Sequence, residues 1–334
     1  MGGIACFCYR EGIDFAFQGD LARVNFAPSP FFVPDGRGLL VLDPSLFRPV
    51  QDPSRADVFL FPFDIGTAID AGFRDAIEAL IADLPFFPGR AERHIIVDIA
   101  DSPQSVRLDV ALFKMSVMRS GDPAGKAVVL WYDVPPHVLA RRPTFDIEHA
   151  EYDTCFIGTY SHVARLAAVH SVRRHAPTLR FYEKGEHNIT VRDGFFYTAR
   201  HDAHETAVRQ RRYVHTIQRS LTVLCPPGVG PQSVRMYETM YLGRIPVLFD
   251  YDVAYPFEDR IDYRAFTLML PQDDMLGTAG PMLEEWLRGQ STDRLRERCA
   301  LAAKTWRNWF AKPDRLRLML EEGARVFGLP HPGR

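Results

Sequence analysis

Residues 221–249 place a strand, a glycine-containing loop, a helix and a second strand in direct succession. The first apolar run ends at two prolines, and the second, IPVLF, is equally rich in strand-forming residues. Between the two runs, a helix begins near Gln232 or Ser233 and ends at Gly243, a residue suited to a left-handed cap. This succession predicts a right-handed βαβ unit, and therefore a parallel sheet covered by helices.

The loop and the first turns of this helix carry the residues of an anion site. Gly228 and Gly230 allow a positive φ and a close approach to a ligand. The first N–H groups of a helix have no partners within the helix and attract an anion. Ser233 can cap the helix or donate to a phosphate. Arg235 can bind the phosphate through two N–H groups of its planar guanidinium. Glu238 could accept from ribose hydroxyls; alternatively, Arg235 and Glu238 form an ordinary surface ion pair.

Four short motifs in this stretch follow each other in a fixed order. They are Cys225-Pro226-Pro227-Gly228, Ser233-x-Arg235-x-x-Glu238, Gly243-Arg244-Ile245-Pro246-Val247-Leu248 and Pro256-Phe257. The ordered set resembles the core signature of the exostosin-type glycosyltransferases, and it is more specific than any one of its parts. Pro231 and Tyr255 depart from the residues that are commoner in that family, which leaves the shape of the loop open.

The resemblance implies a fold class and a donor site. The fold would be α/β of the GT-B type, in which two Rossmann-like domains carry parallel sheets that face a central cleft. The C-terminal domain would hold a nucleotide sugar between the glycine loop and the helix. Carried over by position, Arg235 would contact the donor diphosphate and Glu238 the ribose, while Gly228, Gly230 and Ser233 would line the same site.

The resemblance extends more loosely over most of residues 52–270. Residues 56–63 (ADVFLFPF) and 94–101 (HIIVDIAD) are similar to two strands in the N-terminal half of the family. Residues 152–160 (YDTCFIGTY), followed by a helix with Arg165, resemble the entry to the donor domain. In that setting Arg165 would face the phosphates of the donor; the alternative is that it lies on a solvated helix face.

An aspartate at the end of a strand in the first half of the chain is the candidate general base. Ligands of open α/β sheets bind beyond the carboxyl ends of the strands, and Asp101 follows one such strand. As a base it would remove the proton from the acceptor hydroxyl. Alternatively, Asp101 caps a following helix. Asp64, Asp98 and Asp133 each end or interrupt a strand-like run and compete for the same role.

The length of 334 residues suits two α/β domains. We expect an acceptor-side Rossmann-like domain over residues 1–145 and a nucleotide-sugar-binding domain over residues 146–312. Residues 135–150 are proline-rich, which predicts a linker between them. A C-terminal helix and tail over residues 313–334 is expected to pack back on the N-terminal domain.

The net charge, the cysteine count and the length of the apolar runs bear on the partners of the protein and on its cellular compartment. A formal net charge of −2 argues against a nucleic-acid partner. Five cysteines without regular spacing fit a reducing compartment, and no apolar run reaches the length of a membrane helix. These features predict a cytoplasmic protein, and the resemblance adds peripheral contact with the inner membrane surface, where an acceptor would be found.

Two polar clusters before residue 221 have more than one interpretation. His201 and His204 can share a helix face, but no carboxylate completes a ligand set, so we expect neither a metal nor another cofactor. Arg209, Arg211 and Arg212 form a basic cluster that is either a solvated helix face or a binding site for an acidic acceptor.

The resemblance to the exostosin-type family implies a glycosyltransferase of hexosyl or pentosyl units. The donor would be a nucleotide sugar, in the first instance a uridine diphosphate (UDP) sugar, and the acceptor a glycan or glycolipid hydroxyl in polysaccharide biosynthesis. The transfer would invert the anomeric configuration of the sugar. It would need no metal, because Arg235, Arg165 and the helix N-terminus would stabilise the leaving diphosphate. The alternatives are a fucosyltransferase-like enzyme with a guanosine diphosphate (GDP) sugar and a non-catalytic glycan-binding subunit. The missing dinucleotide fingerprint disfavours an oxidoreductase.

Overall fold

The computed structural model describes residues 3–9, 19–121, 127–160, 162–186, 203–271, 277–311 and 315–332. The chain divides into two compact units. The first comprises Met1–Trp131, Asp252–Phe257 and Lys312–Arg334, and the second comprises Tyr132–Tyr251 and Glu258–Ala311.

The first unit is built on a parallel sheet. Its strands are β1 (Ile4–Cys8), β2 (Phe32–Pro34), β3 (Leu40–Leu42), β4 (Phe47–Pro49), β5 (Val58–Asp64), β6 (His94–Asp98), β7 (Ala111–Lys114) and β8 (Ala127–Val129). Six of them form a sheet in the order β4-β1-β5-β6-β7-β8, and every pair in it is parallel. Strands β2 and β3 form a separate antiparallel pair. Helices α1 (Gly66–Asp70) and α2 (Arg74–Ala82) follow β5.

The continuous apolar sequences of β5 and β6 are explained by their central place in this sheet. Phe59, Phe61 and Ile96 are fully buried, and they pack in one core with Ile77 and Ile81 of α2. A parallel strand that is covered on both faces needs apolar residues at successive positions rather than at alternate ones.

The second unit contains another all-parallel sheet. Its strands are β9 (Tyr152–Thr159), β10 (Phe181–Glu186), β11 (Ser220–Leu224), β12 (Ile245–Asp250) and β13 (Leu268–Pro271), in the order β10-β9-β11-β12-β13. Its helices are α3 (Pro136–Leu139), α4 (Val163–His175), α5 (Ala203–Gln218), α6 (Val234–Tyr241), α7 (Ala279–Arg288) and α8 (Thr292–Trp309).

The βαβ unit expected from residues 221–249 is present as β11, α6 and β12. Strands β11 and β12 are parallel neighbours, with Thr222 opposite Ile245. Helix α6 ends at its C-cap Leu242, and Gly243 follows with φ +73°, the left-handed conformation that the sequence predicted. Two Rossmann-like units, each with a parallel sheet, confirm the predicted α/β fold class.

Residues 135–150, which the sequence presented as a linker, belong to the second unit, whose boundary lies after Trp131 rather than at residue 145. Their backbone is held by side chains of that unit. The Tyr241 hydroxyl donates to the carbonyl of Arg141 at 2.6 Å, and Arg244 Nη2 donates to the carbonyl of Asp146 at 3.1 Å. Prolines shape the path of this segment, but its hydrogen bonds fix it to α6 and to the start of β12.

The last helix, α9 (Arg315–Phe327), lies in the first unit. Its Phe327 ring is 6.3 Å from the ring of Phe113 on β7, and Arg315 Nη2 donates to the carbonyl of Trp131 at 2.6 Å. Residues 252–257, with the proline-phenylalanine motif, also belong to this unit, where the Phe257 and Trp131 rings are 5.2 Å apart. This motif therefore packs against the first unit and takes no part in the sheet of the second.

Candidate functional site

The helix that carries the predicted anion site begins at an open N-terminus. Ser233 is the N-cap of α6, with the extended backbone that a cap requires (φ −113°, ψ 120°). Its side chain makes no capping hydrogen bond, although the residue is buried. Of the two roles predicted for Ser233, side-chain capping is not used, and the first-turn N–H groups of α6 receive no acceptor from it.

Arg235 is held in the first turn of α6 by two residues of β9. It is only 6% exposed, and its guanidinium carbon lies 4.8 Å from the centre of the Phe156 ring. Gly158 lies directly against it, because a Cβ atom at this position would overlap Arg235 Nη2. A cation stacked on an aromatic face and packed on bare backbone has a fixed position, which is what recognition of an anion requires.

Glu238 lies one turn after Arg235 and is fully buried. One carboxylate oxygen, Oε2, accepts a hydrogen bond from the hydroxyl of Tyr213 on α5. The other, Oε1, is buried and accepts no hydrogen bond from the described part of the chain. Burial raises the pKa of Glu238, while the Tyr213 hydrogen bond and the Arg235 charge act in the opposite direction. Because Arg235 and Glu238 are both buried, the alternative of an ordinary surface ion pair is wrong.

Arg165, in the first turn of α4, contacts the loop that precedes α6. Its Nε donates to the carbonyl of Pro227 at 3.3 Å, and its Nη1 donates to Thr159 Oγ1 at 2.8 Å. A Cβ atom at position 228 would overlap its Nη2. The alternative of a solvated helix face is therefore wrong for Arg165, which the fold brings beside Gly228.

The two loop glycines allow a positive φ, but neither of them adopts one. Gly228 donates its N–H to the carbonyl of Gly230 at 3.0 Å, which closes a tight turn. Among the described residues, the glycines with positive φ include Gly243 but neither Gly228 nor Gly230. The freedom to take a positive φ is therefore not used at these two positions. At Gly228 the absence of a Cβ atom instead leaves room for the end of the Arg165 side chain.

Neighbouring residues at the carboxyl end of β9 hold both arginines. Gly158 packs on Arg235, and Thr159 accepts from Arg165. The second unit thus brings two guanidinium groups, a turn of backbone amides and a buried carboxylate to one end of its sheet. Guanidinium groups and free amides suit phosphate oxygens, and a buried carboxylate suits hydroxyl donors. Phe156 and Tyr213 were missed as supporting residues, because their contacts join distant parts of the chain, and Thr159 was missed although it lies only six residues from Arg165.

The first unit contains three of the four aspartates proposed as a base. Asp101 follows β6 and is half-buried. The next regular element after it is β7, so the alternative that Asp101 caps a following helix is wrong. Asp133 is exposed and belongs to the second unit.

Asp98 and Asp64 are engaged in structural bonds. Asp98 is fully buried and accepts from Lys114 Nζ at 2.5 Å. Asp64 accepts from the N–H groups of Gly66 at 3.0 Å and Ile99 at 2.9 Å. Burial raises the pKa of both carboxyls, against the lowering effect of these bonds. Their oxygens tie the ends of β5, β6 and β7 together.

Asp70, the last residue of α1, is a candidate that the sequence did not reveal. Partial burial raises its pKa, and the charges of Asp98 and Asp101 raise it further, against the opposing charge of Lys114. The fold therefore brings the charges of Asp98 and Asp101 within electrostatic range of Asp70. Asp70 ends α1 and Asp101 follows β6, so their spacing in the sequence does not predict this interaction.

Clusters of metal-binding side chains, disulfide bonds and membrane-spanning helices are absent from the described residues. Within the described ranges, no group of three or more His, Cys, Asp and Glu side chains could hold a metal ion, and His201 lies outside those ranges. None of the five cysteines forms a disulfide bond. None of the described helices is long and apolar enough to span a bilayer.

The region of the site matches a known protein family. Residues 172–284 match the Exostosin GT47 domain, and this segment includes all of the site except Arg165 and the end of β9. Probable glucuronosyltransferase GUT1 of Oryza sativa subsp. japonica is 30% identical over 92 residues, which cover 28% of this chain and 21% of that protein. Probable beta-1,4-xylosyltransferase IRX10 of Arabidopsis thaliana is 33% identical over 63 residues, 19% of this chain and 15% of that protein. The chain thus spans about a fifth of the length of the first of these curated relatives and about a seventh of the second.

Two solved structures have a more distant similarity. Sucrose-phosphate synthase from Thermosynechococcus elongatus aligns over 90% of this chain and 86% of its own, with 9% identity and a TM-score of 0.45. AviGT4, a glycosyltransferase involved in avilamycin A biosynthesis, aligns over 76% of this chain and 78% of its own, with 13% identity and a TM-score of 0.37.

Proposed function

We propose that this chain is a glycosyltransferase, which moves a sugar from a nucleotide-sugar donor to a glycan hydroxyl. The match of residues 172–284 to the Exostosin GT47 domain supports this proposal. The observation that carries the proposal is the buried carboxylate of Glu238, which has an open acceptor oxygen one turn from the fixed guanidinium of Arg235. A nucleoside diphosphate has both complementary groups, because its ribose donates hydrogen bonds and its diphosphate accepts them.

In this proposal the diphosphate lies at the start of α6. Arg235 and the first N–H groups of the helix contact it, and Arg165 approaches from the other side of the loop, beside Gly228. Negative charge grows on the leaving diphosphate as the bond to the sugar breaks. Positive groups that are already in place stabilise that charge without reorganising during the reaction.

Glu238 would bind the ribose. Tyr213 holds one of its oxygens, which leaves Oε1 for one or two hydroxyl donors of the nucleotide. A buried carboxylate is costly when it lacks donors, so each ribose hydrogen bond would offset part of that cost. The nucleotide should therefore lower the pKa of Glu238 when it binds, because its hydroxyls stabilise the charged form.

Asp101 is the general base in this proposal. Asp64 and Asp98 are buried, whereas Asp101 is only half-buried at the end of β6. As a carboxylate, Asp101 would take the proton of the acceptor hydroxyl while that oxygen attacks the anomeric carbon and the diphosphate leaves from the opposite face. Such a single displacement inverts the anomeric configuration. Asp70, whose pKa is raised by the charges of Asp98 and Asp101, is the second candidate base to test by substitution.

Thermal shift with UDP, GDP, NAD and UDP-sugars tests the donor class, because a ligand that binds only the folded state raises Tm. The relatives named as glucuronosyl- and xylosyltransferases make UDP-glucuronate and UDP-xylose the first sugars to test. We expect UDP to stabilise the protein and Arg235→Ala to abolish the shift. Arg174→Ala removes an exposed arginine of α4 as a control and should keep it. A UDP shift that survives Arg235→Ala would refute the site.

The alternatives give different results in the same experiments. Preferential stabilisation by GDP would indicate the fucosyltransferase-like enzyme, and stabilisation by NAD an oxidoreductase. If Asp101→Asn keeps the UDP shift but loses transfer and donor hydrolysis, the chain is an enzyme with Asp101 as its base. A wild-type chain that binds UDP without turning over any UDP-sugar would support a non-catalytic glycan-binding subunit.

A further inference from the structure

A basic pocket lies on the second unit between the end of α3 and the exposed face of α5. Its volume is about 380 Å³, and it is lined by Arg141, Arg211, Arg212, Val214, His215 and Gln218. A volume of this size falls within the range of small-ligand sites, roughly 300–1,000 Å³. The proposed donor site uses none of these side chains.

The walls of the pocket are held by hydrogen bonds within the unit. On one side, the Tyr241 hydroxyl donates to the carbonyl of Arg141 at 2.6 Å, and Gln218 Nε2 donates to the carbonyl of Arg142 at 2.9 Å. On the other side, residues 211, 215 and 218 are spaced by four and three positions along α5, so they share one helix face. The arginine side chains therefore converge from two elements whose backbones are fixed to each other.

Charge in the pocket is of one sign. The three arginines are exposed, and none of them forms an ion pair with a carboxylate of the described residues. Their neighbour Arg209 differs, because its Nη2 contacts Glu205 Oε1 at 2.8 Å on the same helix. Converging guanidinium groups repel each other and create a positive potential in a concave site, which an anion would relieve.

We propose that this pocket binds the carboxylate groups of an acidic oligosaccharide. The planar fork of arginine matches a carboxylate in two-point contact. The amide of Gln218 and the imidazole of His215 suit sugar hydroxyls. A concave pocket with its cations on two walls fits an inserted sugar better than the flat surface of a bilayer.

The pocket and the donor site use different faces of α5. Tyr213, which is buried and donates to Glu238, faces the interior of the unit, whereas Arg211 and His215 are exposed. A glycan held in the pocket would therefore leave the nucleotide site free. The biological role of this pocket rests on the proposed function, because the bound glycan would then be an acidic acceptor or product chain. The test of binding to the pocket does not need turnover.

Titration calorimetry at low salt tests the pocket with defined probes. The probes are tetragalacturonate, its fully methyl-esterified form, inorganic phosphate and vesicles of phosphatidylglycerol. We expect tetragalacturonate to bind, its methyl ester not to bind, and Arg211→Gln with Arg212→Gln to weaken binding about tenfold or more, because two charge-assisted contacts are lost. A second double variant, Arg174→Gln with Arg307→Gln, removes the same charge from exposed positions elsewhere in the unit and should bind as the wild type does.

Each other result would overturn the proposal. Equal binding of the uronate by the pocket variant would place the glycan elsewhere. Equal binding of the methyl ester would show that carboxylates are not recognised. Tighter binding of phosphate or of vesicles, lost in the pocket variant, would assign the site to phosphate groups or to a membrane. The UDP thermal shift, measured on every variant, separates the two proposals: a normal UDP shift without uronate binding rejects only the pocket, and uronate binding without a UDP shift rejects only the donor site.

Discussion

Gly158→Ala is predicted to weaken nucleotide binding without any change in a residue that contacts the nucleotide. The new methyl group would overlap Arg235 Nη2, whose guanidinium is held between the Gly158 backbone and the Phe156 ring. The overlapping atom is the far end of a flexible side chain, so the arginine moves and the sheet stays in place. Gly158 thus acts as a positioning residue for Arg235.

The size of the effect follows from the contacts at stake. Hydrogen bonds to charged groups contribute about 1.5–3 kcal/mol when they are buried, and Arg235 is buried. Since about 1.4 kcal/mol corresponds to a factor of ten, displacement of the guanidinium should raise the Kd for UDP about 10- to 100-fold. Partial loss of the cation–π contact with Phe156 should cost the folded state about 1–2 kcal/mol.

Calorimetric titration with UDP measures the binding loss, and thermal melting without ligand measures the cost to the fold. Gly289→Ala is the matched control, because Gly289 caps α7 at φ −80° and a Cβ atom there would lie 3.6 Å from its nearest neighbours. The control should keep wild-type affinity. Arg235→Ala introduced into the Gly158→Ala chain should cause little additional loss, because both changes remove the same contact.

Two results would refute this reasoning. If Gly158→Ala binds UDP as tightly as the wild type while Arg235→Ala does not bind, the position of Arg235 does not depend on the glycine. If the losses from the two changes are additive, Gly158 acts on the nucleotide by a route other than Arg235.

Three further perturbations test the buried polar groups. Glu238→Gln should raise Tm of the ligand-free protein at neutral pH and weaken UDP binding. Because burial raises the pKa of Glu238, its carboxyl destabilises the fold as pH rises from the ordinary glutamate range through the raised pKa, and the difference in Tm between variant and wild type should grow over that window. Tyr213→Phe should raise the Kd for UDP about tenfold, since it removes a donor to a charged group, and calorimetry measures it. Lys114→Met should lower the free energy of unfolding by about 3–5 kcal/mol in urea melts, and adding Asp98→Asn should restore most of it, because Asp98 then no longer carries an unpaired buried charge.

Local pattern determined the elements of this fold. The apolar runs of β5, β6, β9, β11 and β12 and the caps of α6 are properties of neighbouring residues, so the sequence located them within a few positions. Strands β7 and β10 were missed, because these segments acquire strand structure by pairing with strands from elsewhere in the chain. The predicted cytoplasmic location stays a prediction.

The sequence by itself determined that one helix, preceded by a glycine loop, would carry Arg235 and Glu238 in its first turns. Only the tertiary structure decided that both are buried, that Tyr213 bonds to Glu238 from 25 residues away, and that Arg165 reaches the Pro227 carbonyl across 62 residues. The reason is physical: helix and strand periodicity is written in adjacent residues, whereas burial and the choice of a hydrogen-bond partner depend on which distant segments share a sheet and its covering helices.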